Sequence, residues 1–304
     1  MFGGFVVYAF VLSVVLTLLI GKLMFKFRVV GRDVNKKGKI ILPEQVGISF
    51  VISFSVFFII LTYAFGKVEL LWLLLAAILV SVFGFVDYFR SFSPKTKLMF
   101  PFLAGLLLAF AIYPWTGFSK LIIGIVIAIG FAISSNLTNM LGGFNGLEIG
   151  MSTLAACGLG IFFDLQNYLF GSYAMMLLAA SLLGFLVFNI YPAKVFPGDS
   201  GTLFCGAIIS GIVLLSPYPY VLPIALAPHI IDATLKFKSA GLMSRSEFKP
   251  VALKGKKLHL PKKTYSSLSR HFLKTPLTEV QLVLRVLGTE IIIILFLALL
   301  GWLI

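Results

Sequence analysis

The sequence predicts an all-α integral membrane protein of about ten transmembrane helices. Three observations predict it. Of its 304 residues 60% are hydrophobic and 12% charged, against roughly 25% charged in an ordinary soluble domain. Uncharged stretches recur at about the 20 residues a helix needs to cross the hydrocarbon core. The strict alternation of a membrane barrel is missing, and lipid leaves a spanning backbone only the helix or the closed barrel.

The elements follow in order. Met1 to Gly21 is uncharged and is followed by Lys22, Lys26, Arg28 and Arg32 rather than by a small-residue cleavage site, so it reads as a retained first span. A polar loop runs to Glu44. The second span covers Gly47 to Gly66, and after a tight turn at Lys67 to Glu69 the third runs from Leu70 to Val86. A polar loop to Lys97 precedes the fourth (Leu98 to Tyr113) and fifth (Phe118 to Ser135) spans. A Gly/Asn-rich loop ends at Glu148; the sixth span covers Ile149 to Phe163 and the seventh Gly171 to Ile190. After a loop from Tyr191 to Gly201, the apolar stretch Ser200 to Ile231 is too long for one span, and Pro217 and Pro219 divide it into two. A basic cytoplasmic loop, 236–278, precedes the last helix, which Thr278 and Gln281 open with a capping box. Within that loop Val251-Ala-Leu253 and Leu258-His-Leu260 flank a Gly turn and read as a hairpin, and Ser266 to Leu273 as an amphipathic or solvated segment. The whole of 1–304 reads as a single polytopic domain.

The net charge of +14 sits in the loops. Loops after odd-numbered spans hold 23 of the 25 Lys and Arg; the opposite side has Lys67 and Lys120. That bias predicts cytoplasmic odd loops and extracytoplasmic termini, and explains the charge without nucleic acid. Most acids share that side, Glu69 and Asp164 facing the other way; Glu290, a turn into the last span, reads as a headgroup-level residue. Cys157 and Cys205 lie in apolar stretches without metal spacing and read as small buried residues.

Four loops on the basic side combine chemistry-bearing residues: Gly31-Arg-Asp-Val-Asn-Lys-Lys with Pro43-Glu-Gln-Val-Gly47; Gly84-Phe-Val-Asp87-Tyr-Phe-Arg with Lys95 and Lys97; Asn136-Leu-Thr-Asn139 through Asn145-Gly-Leu-Glu148; and Tyr191-Pro-Ala-Lys194-Val-Phe196-Pro-Gly198-Asp199. Such loops supply what a diphosphate site needs. Asp and Asn oxygens suit Mg²⁺, which takes one or two carboxylates plus phosphate oxygens. Lysines complement phosphate charge, and glycines allow close backbone approach. Asn136 and Asn139 share a face if the fifth helix continues through them. A rival class, a secondary transporter, places its polar groups near the bilayer midplane; here they collect at span ends.

These motifs resemble the polyprenyl-phosphate N-acetylhexosamine-1-phosphate transferases, most closely their archaeal and eukaryotic branch, which acts on UDP-GlcNAc and dolichyl phosphate. The resemblance runs from Gly31 to Asp199 with the motifs in order. It implies attack of a lipid phosphate oxygen on the β-phosphorus of a UDP-sugar, with loss of UMP, as the first step of lipid-linked oligosaccharide assembly. It also implies Mg²⁺, with Mn²⁺ as an alternative, on Asn139 and Asp199; uridine on Asn145 and Phe196; Lys97 on phosphate; and Asp87 near the attacking lipid phosphate. Lys37, Glu44, Asn136, Glu148 and Arg245 are further substrate-binding candidates. The expected partners are a UDP-sugar donor, a polyprenyl or dolichyl phosphate acceptor and membrane lipids; a homodimer is left open. The expected location is a prokaryotic, archaeal plasma membrane, or the endoplasmic reticulum in a eukaryote. Two departures stand out. Tyr88 occupies the place of the family's second Asp, and Arg245-Ser-Glu247 the place of a basic cluster. No histidine cluster of the kind found in the peptidoglycan-precursor enzymes is present in that loop.

Overall fold

The computed structural model describes residues 2–36, 38, 40–112, 118–241, 251–262 and 264–304. Its helices are α1 (Phe2–Lys26), α2 (Ile48–Ala64), α3 (Leu71–Arg90), α4 (Pro94–Ile112), α5 (Phe118–Met140), α6 (Leu147–Leu165), α7 (Leu169–Asn189), α8 (Gly198–Leu214), α9 (Leu222–Ala225), α10 (Ala227–Ala240), α11 (Leu268–Phe272) and α12 (Glu279–Leu303). Two small antiparallel hairpins join them, β1 (Val30–Arg32) with β2 (Ile41–Pro43) and β3 (Ala252–Lys254) with β4 (Lys257–His259). Among the described residues seven helices are long and apolar enough to cross a membrane; α2 and α8, each of 17 residues, are shorter apolar helices. The chain is a mostly helical integral membrane protein.

α8 is the axle of the fold. Its residues from Ser200 to Val213 are all buried, as expected of a helix apolar on every face. Small residues let it lie close to its neighbours, as helices packed in lipid require. A Cβ at Gly84 of α3 would stand 2.6 Å from the Asp199 carbonyl carbon, and one at Gly47 2.7 Å from the Cα of Gly201. Around this axle pack α2, α3, α5, α6 and α7. The outer helices α1, α4 and α12 carry exposed apolar side chains such as Val11, Leu103 and Leu295, the surface that lipid tails cover.

Several expected boundaries move. α3 continues past Val86 to Arg90 and α4 starts at Pro94, so Asp87 and Lys97 stand on helical turns and not in a loop. α5 does run through Asn136 and Asn139. Prolines divide the stretch after α8 into a turn, the short α9 and α10, and α10 continues to Ala240, beyond Lys236. The β3–β4 hairpin forms on a tight turn with Gly255 at φ +63°, and the Thr278–Gln281 capping box is present. The first polar loop contains the β1–β2 hairpin, which its charge pattern conceals. Glu290 does not lie at the surface: it is fully buried, and among the described residues neither carboxyl oxygen has a partner. Cys205 is buried and Cys157 half-buried, both as free thiols.

Candidate active site

The loops after α1, α3, α5 and α7, and the chain entering α12, meet at one end of the bundle, tied by contacts between them. Tyr88 at the end of α3 both donates to the Val30 carbonyl and accepts from its N–H, each at 3.0 Å. The loop before α8 lies along the β2–α2 connection: Phe196 N–H donates to the Pro43 carbonyl at 2.8 Å, Val46 N–H to Phe196 at 3.1 Å and Gly47 N–H to Pro197 at 3.0 Å. Gln45, at φ +61°, offers its Oε1 to the Ser200 N–H at 3.2 Å. It thereby satisfies one of the unpaired amides at the start of α8, one residue after Asp199.

Three residues from three helices converge here. Lys97 Nζ of α4 ion-pairs with Asp87 Oδ2 of α3 and stands 3.4 Å from Asp199 Oδ2 of α8. Asp87 is held by the Phe92 N–H, which donates to its Oδ1 at 2.7 Å. Asn139 of α5 approaches the same turn, its Oδ1 accepting from Thr202 Oγ1 at 2.8 Å. Asn136, a turn earlier, is directed elsewhere: its Nδ2 donates to the Lys97 carbonyl at 3.2 Å and the Ala132 carbonyl at 2.9 Å. It buttresses the Lys97 turn and is not among the cavity-lining residues.

Beside this cluster lies a cavity of about 240 Å³ whose lining includes Asp33, Glu44, Asn139, Asn145, Glu148, Phe196 and Asp199. Burial, and then the Asp199 charge, push the Glu44 carboxyl above its ordinary value. An added cation would relieve that repulsion. Among the described residues no group of three or more His, Cys, Asp or Glu forms a metal cluster. The available set is instead the oxygens of Asp199, Asn139 and Glu44 beside an open cavity, which fits an ion that takes few protein carboxylates and fills its shell with phosphate and water. A separate apolar cavity of about 500 Å³ opens between α4 and α5, lined by Leu98, Met99, Phe102, Ile133 and the stem of Lys95 among others.

Thus Asp87, Lys97, Asn139, Glu44, Asn145, Glu148, Phe196 and Asp199 gather at one end of the molecule, and Asn136 supports them from outside. Lys37 and Arg245, like Glu247, lie outside the described residues. Sequence reasoning passed over Gln45, and it did not single out Asp33, Lys36 or Glu279, which surround Asn145. Asp33 and Lys36 sat within a quoted motif; Glu279 lies 134 residues from Asn145 and carried no local signal.

Fold and site define an integral membrane protein with an oxygen-rich, lysine-bearing site at one end. Comparison with known proteins narrows the class. The Glycosyl transferase family 4 profile matches residues 70–216. A Methanocaldococcus jannaschii protein provisionally named a glycosyltransferase is 41% identical over 284 residues, covering 92% of this chain and 90% of the relative. A Sulfolobus acidocaldarius protein, provisionally named UDP-N-acetylglucosamine–dolichyl-phosphate N-acetylglucosaminephosphotransferase, is 32% identical over 77% of each chain. A phospho-N-acetylmuramoyl-pentapeptide-transferase of Prochlorococcus marinus (strain MIT 9312) is 29% identical over 63% of this chain and 60% of its own. The chain belongs to the polyprenyl-phosphate N-acetylhexosamine-1-phosphate transferases, membrane enzymes that transfer a phospho-sugar to polyprenyl phosphate.

Proposed function

We propose that this chain transfers N-acetylglucosamine-1-phosphate from UDP-GlcNAc to a polyprenyl phosphate of the dolichyl type, releasing UMP, as the first step of lipid-linked oligosaccharide assembly. The observation that carries the reading is the bridge of Lys97 between Asp87 and Asp199: Asp199 lines the polar cavity, and Lys95 and Leu98, beside Lys97 on α4, line the apolar one. The polar cavity takes the nucleotide, with Phe196 against the base and Asn145 on its edge. The apolar cavity between α4 and α5 takes the first isoprene units of the acceptor, and Lys95 and Lys97 draw its phosphate toward Asp87.

The chemistry asks little of a base. The second pKa of a phosphate monoester is near ~6, so the acceptor oxygen is already largely ionised at neutral pH. It attacks the β-phosphorus, the bond to the bridging oxygen breaks, and UMP carries that oxygen away. Positioning and charge neutralisation then dominate, as in other phosphoryl transfers. Mg²⁺, held by Asp199 and Asn139, would neutralise diphosphate charge. Lys97 exchanges its looser contact with Asp199 for phosphate oxygens as substrates enter, and Asp87 keeps its ammonium in place. Tyr88 takes no part in this exchange: its hydroxyl is spent on both backbone groups of Val30, so the missing second Asp becomes a brace for the first loop.

The charge bias supports ten spans, counting α9 and α10 as one broken span and α2 and α8 as short ones, with the site in the cytoplasm and both termini outside. The relatives support an archaeal plasma membrane. The test is direct: purified protein with Mg²⁺, polyprenyl phosphate and a panel of UDP-sugars. UMP release is expected with UDP-GlcNAc as best donor; preference for another UDP-N-acetylhexosamine would replace the donor, and no release with any donor would overturn the reading.

A further inference from the structure

Asn145 stands at the centre of a buried polar chain that the transfer step does not use. Its backbone N–H donates to Glu279 Oε1 at 2.9 Å, and its Nδ2 donates to Asp33 Oδ2 at 3.2 Å. The same Asp33 oxygen lies 3.4 Å from Lys36 Nζ, and Lys36 also pairs with Glu279. Asp33 Oδ1 accepts the Asn35 N–H at 3.3 Å. Lys36 in turn lies 4.5 Å from the centre of the Tyr191 ring. Asp33, Asn145 and Glu279 are each 5 or 6% exposed.

This arrangement fixes more than position. An amide side chain can turn over and present either its donor or its acceptor. A carboxylate beside an ammonium group only accepts, so the face of Asn145 toward Asp33 has to be the NH₂. The Oδ1 is therefore turned away from Asp33, and among the described residues nothing donates to it. Asn145 and Asp33 both line the polar cavity.

We propose that Asp33 is a specificity-determining positioning residue: by locking the Asn145 amide with its oxygen toward the nucleobase, it makes the site accept uracil and refuse cytosine. This rests on the assignment of the cavity to uridine. Uracil offers an N–H at N3, which Oδ1 accepts; cytosine offers a lone pair there, which Oδ1 repels. A site built around one hydrogen bond rejects the analogue that lacks it, because the desolvated group is left unpaired. Lys36 and Glu279 hold the lock closed by giving Asp33 its counter-charge and Asn145 its backbone anchor.

The test uses the full chain in detergent with Mg²⁺, and compares UMP with CMP by calorimetry. Wild type should favour UMP by at least about tenfold, the discrimination a single specific contact supplies. Asp33→Asn lets the facing amide adopt either sense. It should reduce the UMP:CMP ratio by about fivefold or more and raise KM for the UDP-sugar, with kcat within about threefold. Asn145→Ala should also erase the preference, and adding Asp33→Asn to it should change nothing further. A folded Asp33→Asn protein with an unchanged ratio overturns the proposal. If that variant does not fold, Asn145→Ala decides, and a retained preference overturns the proposal. Wild type binding both nucleotides equally also overturns it, whereas wild type binding neither brings down the uridine assignment itself.

Discussion

The two halves of the polar end handle charge in opposite ways. On the reaction side, Lys97 and Asp199 keep 33% and 30% of their side-chain surface exposed, and the 3.4 Å separation between them is loose. On the nucleotide side, Asp33 and Glu279 keep 6% and 5%, and both pair with Lys36. The difference separates chemistry from recognition. Groups that must trade partners with an incoming phosphate are left accessible and incompletely satisfied; groups that only hold a base-reading amide are buried and closed. Removing one member of a buried, paired set leaves an uncompensated charge, while removing an accessible one chiefly removes its reaction.

That contrast predicts a graded set of outcomes. The largest is at the bridge: Lys97→Met should lower kcat by roughly 10²- to 10³-fold, the range associated with losing one preorganised charge in an electrostatic site, with UMP affinity nearly unchanged. A variant that lost UMP binding instead would move Lys97 to the recognition side. Next comes the clasp. Glu279→Gln keeps an oxygen for the Asn145 N–H but removes the charge that faces Lys36, so KM for the donor should rise about tenfold while kcat holds, the signature of lost uniform binding. Steady-state UMP release over a donor titration separates the two parameters. The smallest effect belongs to Tyr88→Phe. It deletes both contacts to Val30 and should cost about 1 kcal/mol of stability, read as a lower thermal midpoint, with turnover within a few-fold. A collapse of turnover at unchanged stability would return Tyr88 to the reaction.

The helices were legible because lipid imposes a length and a polarity on each span, and the gathering of the motif residues at one end was legible because they lie near span ends. Asp87, Lys97, Asn139 and Asp199 were readable as motif residues near span ends. Their helical setting was not, since Asp87 and Lys97 look like loop residues to a hydropathy reading, yet α3 and α4 extend past the apolar stretch. Tyr88 looked like a defect in a carboxylate pair because its partner, the backbone of Val30, lies 58 residues away. Glu279 is an acid in the first turn of the last helix; its contact to Asn145 exists only after that helix packs on α6. Glu290 was misplaced for a related reason: position along a helix gives depth, and burial depends on which neighbour covers that face.

The most direct test of the account is the Asp199→Ala protein assayed beside wild type with Mg²⁺, UDP-GlcNAc and polyprenyl phosphate, following UMP and the lipid product together. Wild type should form the two in equal amounts and stop when the metal is chelated. The variant should run chromatographically as folded protein, still bind UMP through the buried clasp, and turn over at least about 10³-fold more slowly. Turnover equal to wild type would remove Asp199 from the reaction and contradict the division of labour between the two halves of the site.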